Sequence, residues 1–168
     1  MATWVWDAAW EVVGEDDVVL DLGCGILQWS DGTPLTARYL AVDAFPAYLD
    51  HISADVCTAR MRLPRCAALF ADGSYDVVLL IDIIEHLEKK DGDVLLAHAE
   101  RIARRAVFVV TPDGFSEQDG WDAWGLGHNE LQAHVCGWSE RELANRGYNL
   151  TCRVKQSGGP VMALVKEF

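Results

Sequence analysis

The sequence is poor in positive charge. Against 26 acidic residues stand only 14 lysines and arginines, giving a net charge of −12 over 168 residues. A surface that acidic repels phosphate backbones, so no non-specific nucleic-acid partner is expected. Arg60, Arg62 and Arg65 do cluster, but three arginines on one loop read as solvated surface. Paired cysteines are also lacking. Cys24, Cys57, Cys66, Cys136 and Cys152 are odd in number and show no CxxC or Cys/His ligand spacing. This argues against a disulfide framework or a zinc site, so no metal is expected, and it points to reduced thiols in a cytoplasmic protein. No run of about 18 apolar residues exists, so no membrane span is expected. The start, "MATWVWDAAWEVV", contains Asp7 and Glu11 without a basic lead, unlike a signal peptide. Internal repeats and low-complexity segments are absent as well.

What remains is the make-up of a globular domain: 51% apolar and 24% charged residues, with a length suited to one core and one domain spanning 1–168. Strand and helix patterns alternate. Trp6 and Trp10 are spaced to share one face of a first helix. Val18–Leu22 is a short apolar run ending in glycine, the pattern of a buried parallel strand. "TPLTARYL" predicts a helix from Thr33, with Pro34 in its first turn. A second strand reads Tyr39–Val42, stopping at Asp43, and "HISADV" reads as a weaker third. Asp76–Ile81 is the clearest strand. Helix is expected at Ile83–Leu87 and at Asp91–Arg105, then strand at Ala106–Val110. Residues 113–138 are rich in glycine and aromatics without periodicity, and so long an irregular stretch is usually functional or mobile. Ser139 and Glu142 have capping-box spacing, with Gly147 as a helix stop. Two strands, Tyr148–Lys155 and Val161–Lys166, close the chain around "QSGGP".

Alternating strand and helix implies an α/β fold, a doubly wound, mostly parallel sheet with helices on both faces and an antiparallel C-terminal strand. Ligands bind such sheets at the carboxyl ends of the strands, here Asp21–Gly25, Asp43, Asp82–His86 and Thr111–Gly114. Gly23 and Gly25 let the chain turn and approach a ligand. Asp43 follows them by about twenty residues, where a carboxylate accepts from both hydroxyls of a ribose. A dinucleotide fingerprint would put its third glycine at position 28, which is Gln28, so an NAD site is disfavoured.

"VLDLGCG" resembles the first motif of class I S-adenosylmethionine (SAM)-dependent methyltransferases. "LAVDAF" is similar to their ribose-binding segment, and "ADGSYDVVLLIDIIEHL" to their acidic loop and fourth strand. "RIARRAVFVVTPDGF" with "HVCGWSERELANRGY" extends the likeness to about Tyr148. The resemblance implies a Rossmann-like, seven-stranded methyltransferase fold that uses SAM and releases S-adenosylhomocysteine (SAH). It implies that Asp21, Gly23 and Gly25 cradle the methionine part and that Asp43 holds the ribose. Ala44 packs beside the adenine, Asp55 accepts from the adenine amino group with the Val56 backbone nearby, and Asp82 and Ile83 line the amino-acid end. The family commonly has a glycine where this chain has Leu27. Each polar residue also has an ordinary structural role open to it: a loop cap for Asp21, a helix cap for Asp43, plain surface for Asp55, a packed histidine for His86.

A sulfonium donor is already activated, so methyl transfer chiefly needs an in-line approach. A hydroxyl acceptor also wants a base, a task suited to histidine. His86, His128 and His134 lie on segments that can reach the strand ends. His134 and His86 are the catalytic candidates, with His134 expected to orient the acceptor or take its proton. Residues 113–138, with Trp121, Trp124 and Trp138, are expected to form an apolar lid on the substrate side. The expected activity is methyl transfer to a small-molecule or sugar-like acceptor, with O-methylation as one option; the rival is a non-catalytic SAM- or nucleotide-binding module acting through a partner. Oligomeric state is not read from the sequence.

Overall fold

Short apolar runs bounded by glycine or aspartate become the strands. In the computed structural model, which describes residues 3–122 and 124–168, helix α1 (Thr3–Trp10) precedes β1 (Val19–Leu22), β2 (Tyr39–Asp43), α2 (Pro46–Leu49), β3 (Cys57–Arg60) and β4 (Tyr75–Ile81). Helix α3 (Lys89–Ile102), β5 (Ala103–Pro112), α4 (Glu140–Asn145), β6 (Asn149–Gln156) and β7 (Gly159–Glu167) follow. The seven strands form one sheet in the order β3-β2-β1-β4-β5-β7-β6. Strands β1 to β5 pair in parallel, while β7 runs antiparallel to both β5 and β6.

Strand alternation divides the core in two. Leu20, Leu22, Val78, Leu80, Val107 and Val109 face α3 and α4, where Leu95, Leu96, Ala99, Ile102 and Leu143 meet them. Val19, Val77, Leu79, Ala106, Phe108 and Val110 point the other way, onto Val5 and Ala9 of α1. Both faces are covered, which is why the central strands read as continuous apolar runs rather than alternating ones. Helix α4 begins with the expected capping box: the Ser139 hydroxyl accepts from the Glu142 N–H, and the Glu142 carboxylate accepts from the Ser139 N–H.

Several local expectations are corrected. The helix from Thr33 does not form. One 3-10 turn, Gln28–Ser30, stands between Leu27 and Asp31, both left-handed with φ of 57° and 56°. Leu35 and Thr36 turn inward, and the Thr36 hydroxyl donates to the Asp17 carbonyl. Too little chain is left before β2 to nucleate a helix. The third strand is Cys57–Arg60, not "HISADV", which forms turns after α2. As an edge strand with three of its four residues exposed, it has no apolar run to announce it. Ile83–Leu87 contains only a 3-10 turn at Ile84–His86. Helix α3 stops at Ile102, three residues short of Arg105, because Ala103 already pairs with Tyr75 in the sheet.

Candidate active site

The parallel strands end along one edge, and there a cleft of about 1310 Å³ opens. Gly23 and Gly25 line it, with φ of +86° and +56°. The Gly23 and Cys24 N–H groups donate to the Val42 carbonyl, at 2.8 and 3.0 Å, so the turn is clamped to β2. A Cβ on Gly23 would meet Ile83 at 2.4 Å, and one on Gly25 would meet the Trp124 ring at 2.7 Å. Side chains are excluded here by space as well as by backbone conformation.

Asp43 sits at the end of β2. One carboxylate oxygen accepts the Gly25 N–H at 3.0 Å and the other the Phe45 N–H at 2.8 Å. An ionised carboxylate has about four lone-pair positions, so acceptor capacity remains for a ligand diol. Burial raises the carboxyl above its ordinary value, and the backbone donors at Phe45, Gly25 and Ala44 pull it back down. Ala44 and Ile83 also line the cleft. Asp82, directly after β4, takes a left-handed φ of 50° and donates its N–H to the Val110 carbonyl. Its side chain opens to the cleft, yet the surrounding protein displaces enough water to raise the carboxyl to about 6.

Three expected contacts fall elsewhere. Asp21 is fully buried in β1 and accepts from the Tyr39 hydroxyl at 2.6 Å, beneath the cleft rather than in its lining. Asp55 and Val56 precede β3, at the amino edge of the sheet, and neither lines the cleft. The third strand stands six residues later than expected, so the segment leaving its carboxyl end is Met61–Leu63, and those residues line the cleft. Cys24 is buried among apolar groups, which raises its thiol far above the usual range and makes it inert.

At the other end lie Glu85, His86 and His134. The chain returns after β5 so that the Val135 and Cys136 N–H groups donate to the Glu85 carbonyl. The His86 and His134 rings are 4.8 Å apart between centroids, edge to face. His86 Nδ1 lies 3.2 Å from the Ala133 carbonyl, and His134 Nδ1 lies 2.6 Å from that of Ser116. A carbonyl only accepts, so each ring places a proton on Nδ1, and the Asp82 and Gln132 carbonyls also stand by the His86 ring. Burial, then the neighbouring His134, pushes His86 down to about 4, and burial lowers His134 too. Glu85, which sequence reasoning passed over, is 1% exposed. Burial and the nearby Asp82 raise its carboxyl well above the usual range.

The tryptophans of the irregular segment divide. Trp124 lines the cleft beside Gly25, and its indole N–H donates to Gln28. Trp138 is core: it is 2% exposed, and its Nε1 donates to the Ile84 carbonyl. Trp121 is exposed, and His128 is exposed outside the cleft.

A family model described as a methyltransferase domain matches residues 20–111, more than half of the chain. No curated protein matches the sequence. Among solved structures, magnesium protoporphyrin IX methyltransferase from Synechocystis PCC 6803 with bound SAH is similar over 97% of this chain and 80% of its own, with TM-score 0.66 and 16% identity. A SAM-dependent methyltransferase from Methanosarcina mazei is similar over 94% of both chains, with TM-score 0.64 and 13% identity. The 1,6-didemethyltoxoflavin-N1-methyltransferase of Burkholderia thailandensis is similar over 96% of this chain and 76% of its own, with TM-score 0.62 and 16% identity. The matched segment runs from β1 through β5 and carries the glycine turn, Asp43 and Asp82; the chain therefore belongs to the methyltransferase-domain family and is a class I SAM-dependent methyltransferase.

Proposed function

We propose that this protein is a cytoplasmic enzyme of one domain that methylates a small-molecule or sugar-like acceptor at a hydroxyl. SAM supplies a methyl group on a sulfonium, already activated for attack. Gly23 and Gly25 would let the backbone reach its amino-acid part, with Asp82 and Ile83 beside it. Asp43 would hold the ribose hydroxyls, and Ala44 with Met61–Leu63 would border the adenine. The geometry favours Met61–Leu63 over Asp55 and Val56 in that last role.

The observation that carries the reading is the histidine pair, His86 and His134, at the end of the cleft away from Asp43's strand. Backbone carbonyls hold Nδ1 of each ring, and the Nε2 side would position an acceptor. Residues 113–138 would cover that end and exclude water, which favours an enclosed small molecule over a polymer. The net charge of −12 also disfavours a nucleic-acid acceptor.

The test separates donor binding from turnover. His134→Ala and His86→Ala should each leave SAH affinity nearly unchanged while cutting turnover about 100-fold. Full turnover in the His134 variant would remove that residue from the site. A wild-type protein that binds SAH but never releases it from SAM, whatever small hydroxyl compound is offered, would instead be a binding module.

A further inference from the structure

Glu85, His86 and His134 each offer one side-chain ligand atom, all within 4.8 Å of one another. They come from two segments nearly fifty residues apart, so no local spacing announces them. The Glu85 side chain is 1% exposed. Its Oε2 accepts from the Thr111 hydroxyl at 2.9 Å, whereas Oε1 is buried with no hydrogen-bond partner among the described residues. A buried carboxyl oxygen without a partner is costly, and the His86 and His134 imidazoles, each held at Nδ1 by a backbone carbonyl, stand within reach of the same point. A cation in their midst would take the place of the Glu85 proton and satisfy the oxygen that has no partner.

We propose that Glu85, His86 and His134 form a binding site for a divalent transition-metal ion of the zinc type, at the acceptor end of the cleft. Two imidazoles with one carboxylate suit zinc, iron, cobalt or nickel rather than magnesium or calcium, which prefer oxygen ligands. Three protein ligands leave at least one coordination position open to an outside oxygen. Each ligand also has an outer partner that fixes its orientation: Thr111 for Glu85, the Ala133 carbonyl for His86, the Ser116 carbonyl for His134. Zinc at about 2.1 Å from each ligand wants ligand atoms about 3.4 Å apart, so the cluster closes slightly on the ion.

The site's use rests on the methyltransferase reading; its binding of metal does not. An acceptor hydroxyl taking the open position would become acidic and lose its proton to bulk water as it enters, before that end of the cleft is covered. Its oxygen would then form the bond to the methyl carbon as the sulfonium S–C bond breaks, leaving SAH.

The experiment is a titration of the full chain with Zn²⁺ alone, by calorimetry and elemental analysis, in a Cys57→Ser background that removes the exposed competing thiol. One equivalent should bind, with affinity falling at least 100-fold in His86→Ala and in His134→Ala, and about 10- to 100-fold in Thr111→Val, which changes only an outer partner. Co²⁺ should give the visible absorption of a low-coordinate nitrogen and oxygen site, a readout that needs no change at the ligands. Absence of a saturable first equivalent, unchanged affinity in both histidine variants, or a cobalt spectrum dominated by thiolate bands would overturn the proposal. SAH affinity is measured on the same metal-free protein: its presence without zinc binding refutes the metal site alone, and its absence refutes the donor reading.

Discussion

Replacing Asp43 by alanine is the sharpest perturbation of the donor side. In the native chain its two oxygens hold the Gly25 and Phe45 N–H groups at 3.0 and 2.8 Å, and the remaining lone pairs face the cleft. A hydrogen bond to a charged group contributes about 1.5–3 kcal/mol, which is about 10- to 150-fold in a dissociation constant. Loss of a single ribose contact therefore weakens SAH binding by at least the lower figure. Freeing the Gly25 N–H loosens the turn itself, so the upper half of the range is expected. Asp43→Asn keeps one acceptor oxygen and should lose less. Because burial raises the Asp43 carboxyl, SAH affinity should also begin to fall, as pH is lowered, at a higher pH than an ordinary aspartate would give; Asp43→Asn should lack that fall. Isothermal titration calorimetry on folded variants measures both effects. A dissociation constant within twofold of wild type in Asp43→Ala would refute the assignment.

Further outcomes are expected. SAH at one hundred times its dissociation constant should stabilise the fold by about 2.7 kcal/mol and raise Tm by about 5–11 °C, while NAD gives no shift; the reverse preference in a melting scan would be fatal to the donor reading. Leu27→Gly should destabilise. Relief of a left-handed backbone returns about 1–2 kcal/mol, but emptying a fully buried leucine site costs about 2–5 kcal/mol, so a higher urea midpoint in the variant would contradict the packing argument. The Lys89 ammonium, 2.8 Å away, holds the Glu142 carboxyl near 2, below its ordinary 4.5. Its stabilisation is in place above about pH 4.5 and disappears as pH falls toward 2. With 47% of the side chain exposed, the effect is at most about 1 kcal/mol. Urea midpoints should therefore drop more between pH 5 and 2 for wild type than for Glu142→Gln, and equal drops would count against the pairing.

Much of this molecule is legible where its physics is local. The glycine turn, the acid ending β2, the apolar runs of β4 and β5 and the Ser139–Glu142 cap all depend on neighbours within a few residues. Edge strand β3 escaped because three of its four side chains are exposed, and the misplaced strand carried Asp55 and Val56 to the wrong end of the sheet. Asp21 looked like a ligand contact because motif spacing does not say which face of β1 a side chain takes. Glu85 was invisible for a different reason. Its partner Thr111 comes from the neighbouring strand β5, His134 reaches it only through the return of the chain after β5, and a lone glutamate before a histidine has no periodic signature. Trp138 misled in the same way, since an aromatic in an irregular segment gives no sign of whether it covers a cleft or fills the core beside Gly92.

The central claim is that methyl groups pass from SAM to a small molecule held at the Glu85, His86 and His134 end of the cleft. Incubating the protein with methyl-labelled SAM and a whole-cell extract, then separating small molecules from protein and nucleic acid, tests it directly. The account predicts label in the small-molecule fraction, matched by SAH, with wild type and about 100-fold less with His134→Ala. Label confined to protein or nucleic acid, or equal transfer by wild type and His134→Ala, would contradict it.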